Sequence, residues 1–208
     1  MAKAASNKWL PLHSALIFGD VAAARREFER GGSYRGLLDR TTPDKGWAAI
    51  HFACHSGSNE AVGWLLSLEV CDPSIRTAKG ETGLHLSAAR GDERVCQTLI
   101  EGGCPPEAVT REGKTALHLA AEMGHLPVAR LLVVRAGLSP SALDGTGASA
   151  AALALAGHHK SVVRLLQKNC PGVDLGIPNS SSGGGGGRRS SEYRSSLPSP
   201  GFEGGSEY

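Results

Sequence analysis

His51, Cys54 and His55 stand within about one helical turn of each other, and in this 208-residue chain they come nearest to a metal-ligand constellation. Imidazole and thiolate are the usual zinc ligands, and the i, i+4 spacing puts His51 and His55 on one helix face. Nucleophilic catalysis would need a Ser or Cys, a base and an orienting acid delivered by separate elements. The chain has no G-x-S-x-G, no G-x-x-x-x-G-K-[ST] and no strand-linked G-x-G-x-x-G, and its glycine run at 183–187 precedes neither a helix pattern nor a lysine. The five cysteines (Cys54, Cys71, Cys96, Cys104 and Cys170) are odd in number and scattered. They form neither a zinc spacing nor a disulfide framework and read as small hydrophobes.

The histidines have a simpler explanation in their period. His13, His51, His85 and His118 follow one another at 38, 34 and 33 residues, and a further 34 lands on Ala152. Each stands in a similar string: Leu10-Pro11-Leu12-His13, Ala48-Ala49-Ile50-His51, Thr82-Gly83-Leu84-His85 and Thr115-Ala116-Leu117-His118. A fixed period near 33 marks stacked supersecondary units, each unable to cover its own apolar side without a neighbour. His51 is therefore a repeat position before it is a ligand, and the metal reading falls. His158-His159, near the end of the array, reads as a solvated edge.

Residues 113–147 display the unit clearly. A turn at Gly113 precedes Thr115 as helix cap, and a short helix carries Leu117, Leu119, Ala120 and Ala121 as far as Gly124. A second helix follows with Val128, Ala129, Leu131, Leu132 and Val133 at helical spacing, and Gly137 closes it. The slots recur at Gly80, Thr82, Leu84, His85, Gly91, Val95 and Leu99, and again at Gly46, Ile50, His51, Ala53, Gly57, Val62 and Leu65. This pattern resembles the ankyrin repeat, G-x-T-P-L-H-x-A-A-x-x-G followed by V-V-x-L-L. The resemblance spans residues 8–177 as five units (8–42, 43–79, 80–112, 113–146 and 147–177), the central three matching best. It implies an all-α repeat solenoid with β-turn fingers. The first unit carries Lys8 in place of the leading glycine, and the fifth carries Ala152 for His, with Gly157 one place early and His158 in the glycine slot. Val173–Ile177 is expected to fold back as a cap.

The family's mode of action implies protein binding through turn fingers and a concave palm lined by the first helices, with the slot histidines tying neighbouring turns together. Carried over by position, the partner-binding residues are Lys45, Trp47, Lys79, Glu81, Arg111 and Lys114 on fingers, and Phe18, His55, Arg90 and Met123 on the palm. Trp47, a large ring beside a turn glycine, is either a binding anchor or a cover for the connection at 33–42. Basic residues outnumber acidic ones on the fingers, which suits an acidic or mixed-charge protein partner. A net charge of +2 makes no demand for nucleic acid or an anionic membrane. No run of 18 apolar residues occurs and Met1–Leu10 has no signal-type stretch, so a cytoplasmic or nuclear monomer without metal or cofactor is expected.

Residues 178–208 are dominated by Gly, Ser and Pro, a composition expected to stay disordered because it buries too little apolar surface. Ser190 and Ser191 follow Arg188-Arg189, and Ser199 precedes Pro200, so these three serines are the expected phosphosites. The function implied is an adaptor, scaffold or inhibitor. The alternative is a regulator or assembly factor of an enzyme complex, autoregulated by a phosphorylated tail.

Overall fold

Helix punctuation by glycine and by short polar caps sets the architecture. The computed structural model describes residues 10–30, 38, 41–42, 45–68 and 71–169. Over these it forms five helix pairs: α1 (Leu10–Ile17) with α2 (Val21–Arg30), α3 (Ala49–Ser56) with α4 (Asn59–Ser67), α5 (Gly83–Arg90) with α6 (Glu93–Glu101), α7 (Ala116–Glu122) with α8 (Leu126–Val134), and α9 (Ala150–Ala156) with α10 (Lys160–Asn169). Among the described residues the only strand-like pairing is an isolated bridge between Leu143 and Ser149. The expected cap at 173–177, the tail with Ser190, Ser191 and Ser199, Lys8 and Cys170 lie outside the described residues.

Within each pair the first helix stops abruptly. Gly57 and Gly91 take left-handed backbone angles (φ 76° and 85°) after α3 and α5, a region where a Cβ costs energy. In the last pair Gly157 comes one residue early, and His158 itself adopts the left-handed conformation at φ 60°. The second helices restart at once. Ser58 accepts the Ala61 amide at 3.2 Å to cap α4, and Pro127 sits in the first turn of α8, where its missing N–H is no loss.

The pairs stack in sequence order. First helices contact first helices along the series α1, α3, α5, α7 and α9, and second helices do so along α2, α4, α6, α8 and α10. Alanines make the first layer thin: Ala53, Ala88, Ala120, Ala121 and Ala154 are fully buried and let neighbouring helices approach closely. The larger side chains Ile50, Leu84, Leu117, Leu65, Leu99, Leu132 and Leu166 fill the space between layers. Each such burial stabilises the array by roughly 1.5–3 kcal/mol. Cys54, Cys96 and Cys104 are buried here as small apolar groups, and burial raises all three thiol pKa values, that of Cys96 to about 12.

Backbone bonds also link the finger turns. The Ala78 amide donates to the Lys45 carbonyl at 2.9 Å, Arg111 to Lys79 at 2.9 Å, and Gly145 to Glu112 at 2.7 Å. Arg76 reinforces the second of these junctions, donating to the Val109 carbonyl at 2.6 Å. This close approach explains Gly113, whose φ is +74° and where an added Cβ would sit 2.6 Å from the Gly145 nitrogen. Gly63 is its opposite, a helix-interior glycine with open space around the missing Cβ. Gly113→Ala is expected to lower stability by about 2 kcal/mol or more. Gly63→Ala should raise it by roughly 0.5–1 kcal/mol, and urea denaturation of the two variants checks both signs.

Candidate protein-binding surface

The repeat histidines are the joints that hold this surface. The Thr82 amide donates to His85 Nδ1 at 3.2 Å, and the Thr82 hydroxyl lies 2.9 Å from the same nitrogen. Thr115 and His118 repeat this at 3.2 and 2.8 Å, and the Ala48 amide donates to His51 Nδ1 at 3.0 Å. A backbone N–H can only donate, so Nδ1 must be unprotonated and the ring proton must sit on Nε2. That proton points at the finger that leads into the next repeat. His85 Nε2 donates to the Lys114 carbonyl at 3.2 Å, and His118 Nε2 to the Ala142 carbonyl at 3.0 Å. His51 Nε2 faces the carbonyls of Ile75 and Glu81 without closing a bond to either.

Burial holds these rings neutral. Desolvation lowers His13, His51 and His85 to pKa values of about 4, against 6.5 for the free side chain, and lowers His118 as well. The two-histidine constellation of the sequence does not assemble. His51 is buried and turned into the array while His55 is exposed, and no group of three metal-ligating side chains occurs among the described residues.

A second set of joints was not legible in the sequence. The last carbonyls of a first helix have no partner inside the helix, and in α3, α5 and α7 one of them is capped from the following repeat. His125 Nε2 donates to the Ala89 carbonyl at 3.1 Å and His159 Nε2 to that of Glu122 at 3.0 Å. Between α3 and α5 the job falls to Arg90, whose Nη1 reaches the His55 carbonyl at 2.5 Å while Nε pairs with Asp92 at 2.7 Å. Asp92 occupies the slot that His125 and His159 hold in later repeats, so Arg90 substitutes for the missing imidazole. The expectation that His159 is a solvated edge is thereby corrected: its ring is a half-buried clamp. A signal was present, since His125 and His159 are 34 residues apart.

The structure distributes the remaining sequence-chosen residues along two rows. Phe18 and Met123 follow the ends of first helices and Arg90 is the last residue of its own, all at matching register, and His55 stands one residue earlier. Phe18 is 82% exposed and Met123 52%. On the fingers, Lys45, Lys79 and Arg111 are exposed and Glu81 is half-buried, in contact with the Thr77 hydroxyl at 3.1 Å. Lys114 is largely covered and pairs with Glu122 at 2.9 Å, a bond that raises its pKa. Trp47 is half-buried, with its ring edge-on to Phe52 at 5.2 Å and His55 at 5.1 Å, and the Lys45 ammonium lies 5.2 Å from its centroid. Phe52 in turn stacks on His13 at 4.5 Å. Trp47 thus anchors an aromatic group at one end of the first-helix layer, with the Lys114–Glu122 pair at mid-array.

Ankyrin repeats are what this arrangement defines: a helix pair, a glycine turn and a finger, joined by slot histidines. Residues 50–144 match the family model for ankyrin repeats over three copies, so this stretch of the chain is an array of ankyrin repeats. The first and last helix pairs lie beyond the matched segment. Ankyrin repeats generally serve as protein–protein interaction modules, and no helix among the described residues is long and apolar enough to cross a membrane.

The neutral histidines give the array a pH signature. A base whose folded pKa is depressed contributes stability that is complete above its unfolded pKa and is lost as pH falls toward the folded one. Thermal unfolding should therefore show full stability above pH 6.5 and a steep decline between 6.5 and about 4. Each fully depressed histidine accounts for on the order of 3 kcal/mol, and proton uptake on unfolding at pH 5 should approach one for each of His13, His51 and His85. Replacing Arg90 with Ala should cost about 1 kcal/mol by leaving the His55 carbonyl uncapped, whereas Lys79→Ala should be neutral within error, both read by urea titration.

Proposed function

We propose that this chain is a protein-binding module, an adaptor, scaffold or inhibitor, that holds its partner on the exposed side of the first-helix layer and the adjoining fingers. The observation that carries this is the placement of exposed apolar side chains. Seven large ones are exposed among the described residues: Ile17, Phe18, Val109, Met123, Val134, Leu143 and Leu155. Ile17, Phe18, Met123 and Leu155 lie at first-helix ends, and Val109 and Leu143 occupy equivalent positions entering the fingers. Six of the seven thus belong to the face that ankyrin arrays use for partners. Apolar anchors with charges around them form the hot-spot pattern of protein interfaces.

Trp47 and His55 form the aromatic end of the proposed surface, with Lys45, Lys79, Glu81 and Arg111 as its polar rim. Arg90 and Lys114 contribute through donors left over from their intrachain bonds. The basic excess on the fingers favours an acidic or mixed-charge partner, held as a one-to-one complex in the cytoplasm or nucleus. A rigid stacked scaffold has little ordering entropy to lose on docking, and a face of this kind buries about 800 Å² per partner in a specific complex. Ser190, Ser191 and Ser199 stay in the proposal as positions where a phosphate would change the charge that a partner meets.

The test is affinity capture from a native lysate with the full chain beside a Phe18→Ser, Met123→Glu variant of unchanged melting temperature. Proteins held by the first and lost from the second would support the proposed face. Identical captures on both would move recognition elsewhere on the chain.

A further inference from the structure

Among the described residues, Val134 is the one large exposed apolar side chain that the first-helix face does not account for. It is 64% exposed and lines a groove of about 490 Å³ between α8 and α10, on the second-helix layer. Leu126 and Val134 on α8 and Leu165 on α10 form its apolar lining, and Arg130, Arg164 and Lys168 are its cations. Neither helix contains an Asp or Glu. The three cations enter no ion pair among the described residues, whereas Arg135 at the end of α8 has Glu101 at 3.8 Å.

The corresponding groove at the other end of the layer, between α2 and α4, is satisfied internally. Trp64 meets Phe28 edge-on at 5.7 Å, Arg25 lies 5.8 Å from the Trp64 centroid, and Glu29 contributes a carboxylate. Two grooves built from equivalent helices thus differ in one respect. One balances its charge and packs its aromatics, and the other presents an apolar strip between unbalanced cations.

We propose that the α8–α10 groove docks an acidic amphipathic helix of a partner protein. Leu126, Arg130 and Val134 follow one another at i, i+4 and i+8, and Arg164 and Lys168 stand one turn apart on the opposite wall. A helix laid along the groove meets this with apolar residues toward Leu126, Val134 and Leu165 and carboxylates at i±3 and i±4 toward the two guanidinium groups. Arginine pairs with a carboxylate through two parallel hydrogen bonds, a fit that suits Arg130 and Arg164. Nucleic acid suits the groove less well, because a phosphate backbone calls for a longer cationic track and has no use for an apolar lining. The site is separate from the first-helix face and leaves that face free.

A fluorescein-labelled helical peptide with Leu on one face and flanking Glu residues, titrated against the full chain, tests this, with its Glu-to-Gln counterpart as control. The Glu peptide is expected to bind, to weaken as salt rises past about 0.1 M, and to lose about tenfold or more in affinity in Arg130→Glu, Arg164→Glu. The Phe18→Ser, Met123→Glu variant should bind it as the parent does, so failure here and failure of the first-helix face are distinguishable. No binding, or equal binding by the Gln peptide or by the charge-reversed variant at unchanged melting temperature, would overturn the proposal. So would tighter, Arg130-dependent binding of an oligothymidylate or of phosphatidylserine vesicles, or Arg130-dependent self-association by sedimentation. A chain that accepts the peptide only after Glu203→Gln, Glu207→Gln would give the groove to its own terminal segment, again against the proposal.

Discussion

A neutral imidazole fixed in one tautomer is the constraint on which the array depends. At His85 and His118, Nδ1 accepts from the amide that opens its own helix and Nε2 donates to a carbonyl of the finger leading into the next repeat, so a single ring caps a helix and ties a junction. Protonation breaks the cap, because the cation has no lone pair to offer the amide, while Nε2 keeps its proton for the carbonyl. Apolar burial supplies most of the stabilisation, but it is tolerant of small shifts. Where His85 and His118 close a junction, the directional imidazole bonds restrict how one repeat sits on the next.

The glycines and the carbonyl clamps follow from the same requirement. Fingers that bond to one another through Lys45, Lys79 and Glu112 carbonyls must approach within backbone distance, which excludes a Cβ at Gly46, Gly80 and Gly113. First helices that end flush against the next repeat leave orphan carbonyls, and Arg90, His125 and His159 cap one in each of three junctions. Donors spent in these joints are not free for a partner, although among the described residues Arg90 uses only Nε and Nη1 within the chain. What projects beyond them is a row of apolar side chains with a charged margin on one layer, and a cationic groove on the other.

Much of this was legible in the sequence because a period of 33 or 34 residues is hard to produce except by stacking. The helix pairs and the closing glycines follow from the repeated string, and the tying role of His85 and His118 from the family resemblance that string carries. The departure at Gly157–His158 was visible too, and the left-handed His158 is its physical consequence. Contacts that substitute for a repeat residue were harder to read. Arg90 looked like a free palm residue because its tie to the His55 carbonyl spans 35 positions and answers the absence of a histidine at Asp92. His159 looked solvated because doublets at an array edge usually are. The groove between α8 and α10 was hidden for a different reason: its cations are unremarkable singly, and only the stacking of two acid-free helices brings them together.

The most direct measurement is imidazole nitrogen NMR of the folded chain at pH 6. The account predicts that His51, His85 and His118 show the Nε2–H tautomer with an unprotonated Nδ1, and do not titrate until the fold itself is lost. Rings that titrate near pH 6.5 with the fold intact, or that carry the proton on Nδ1, would contradict the claim that these neutral histidines join one repeat to the next.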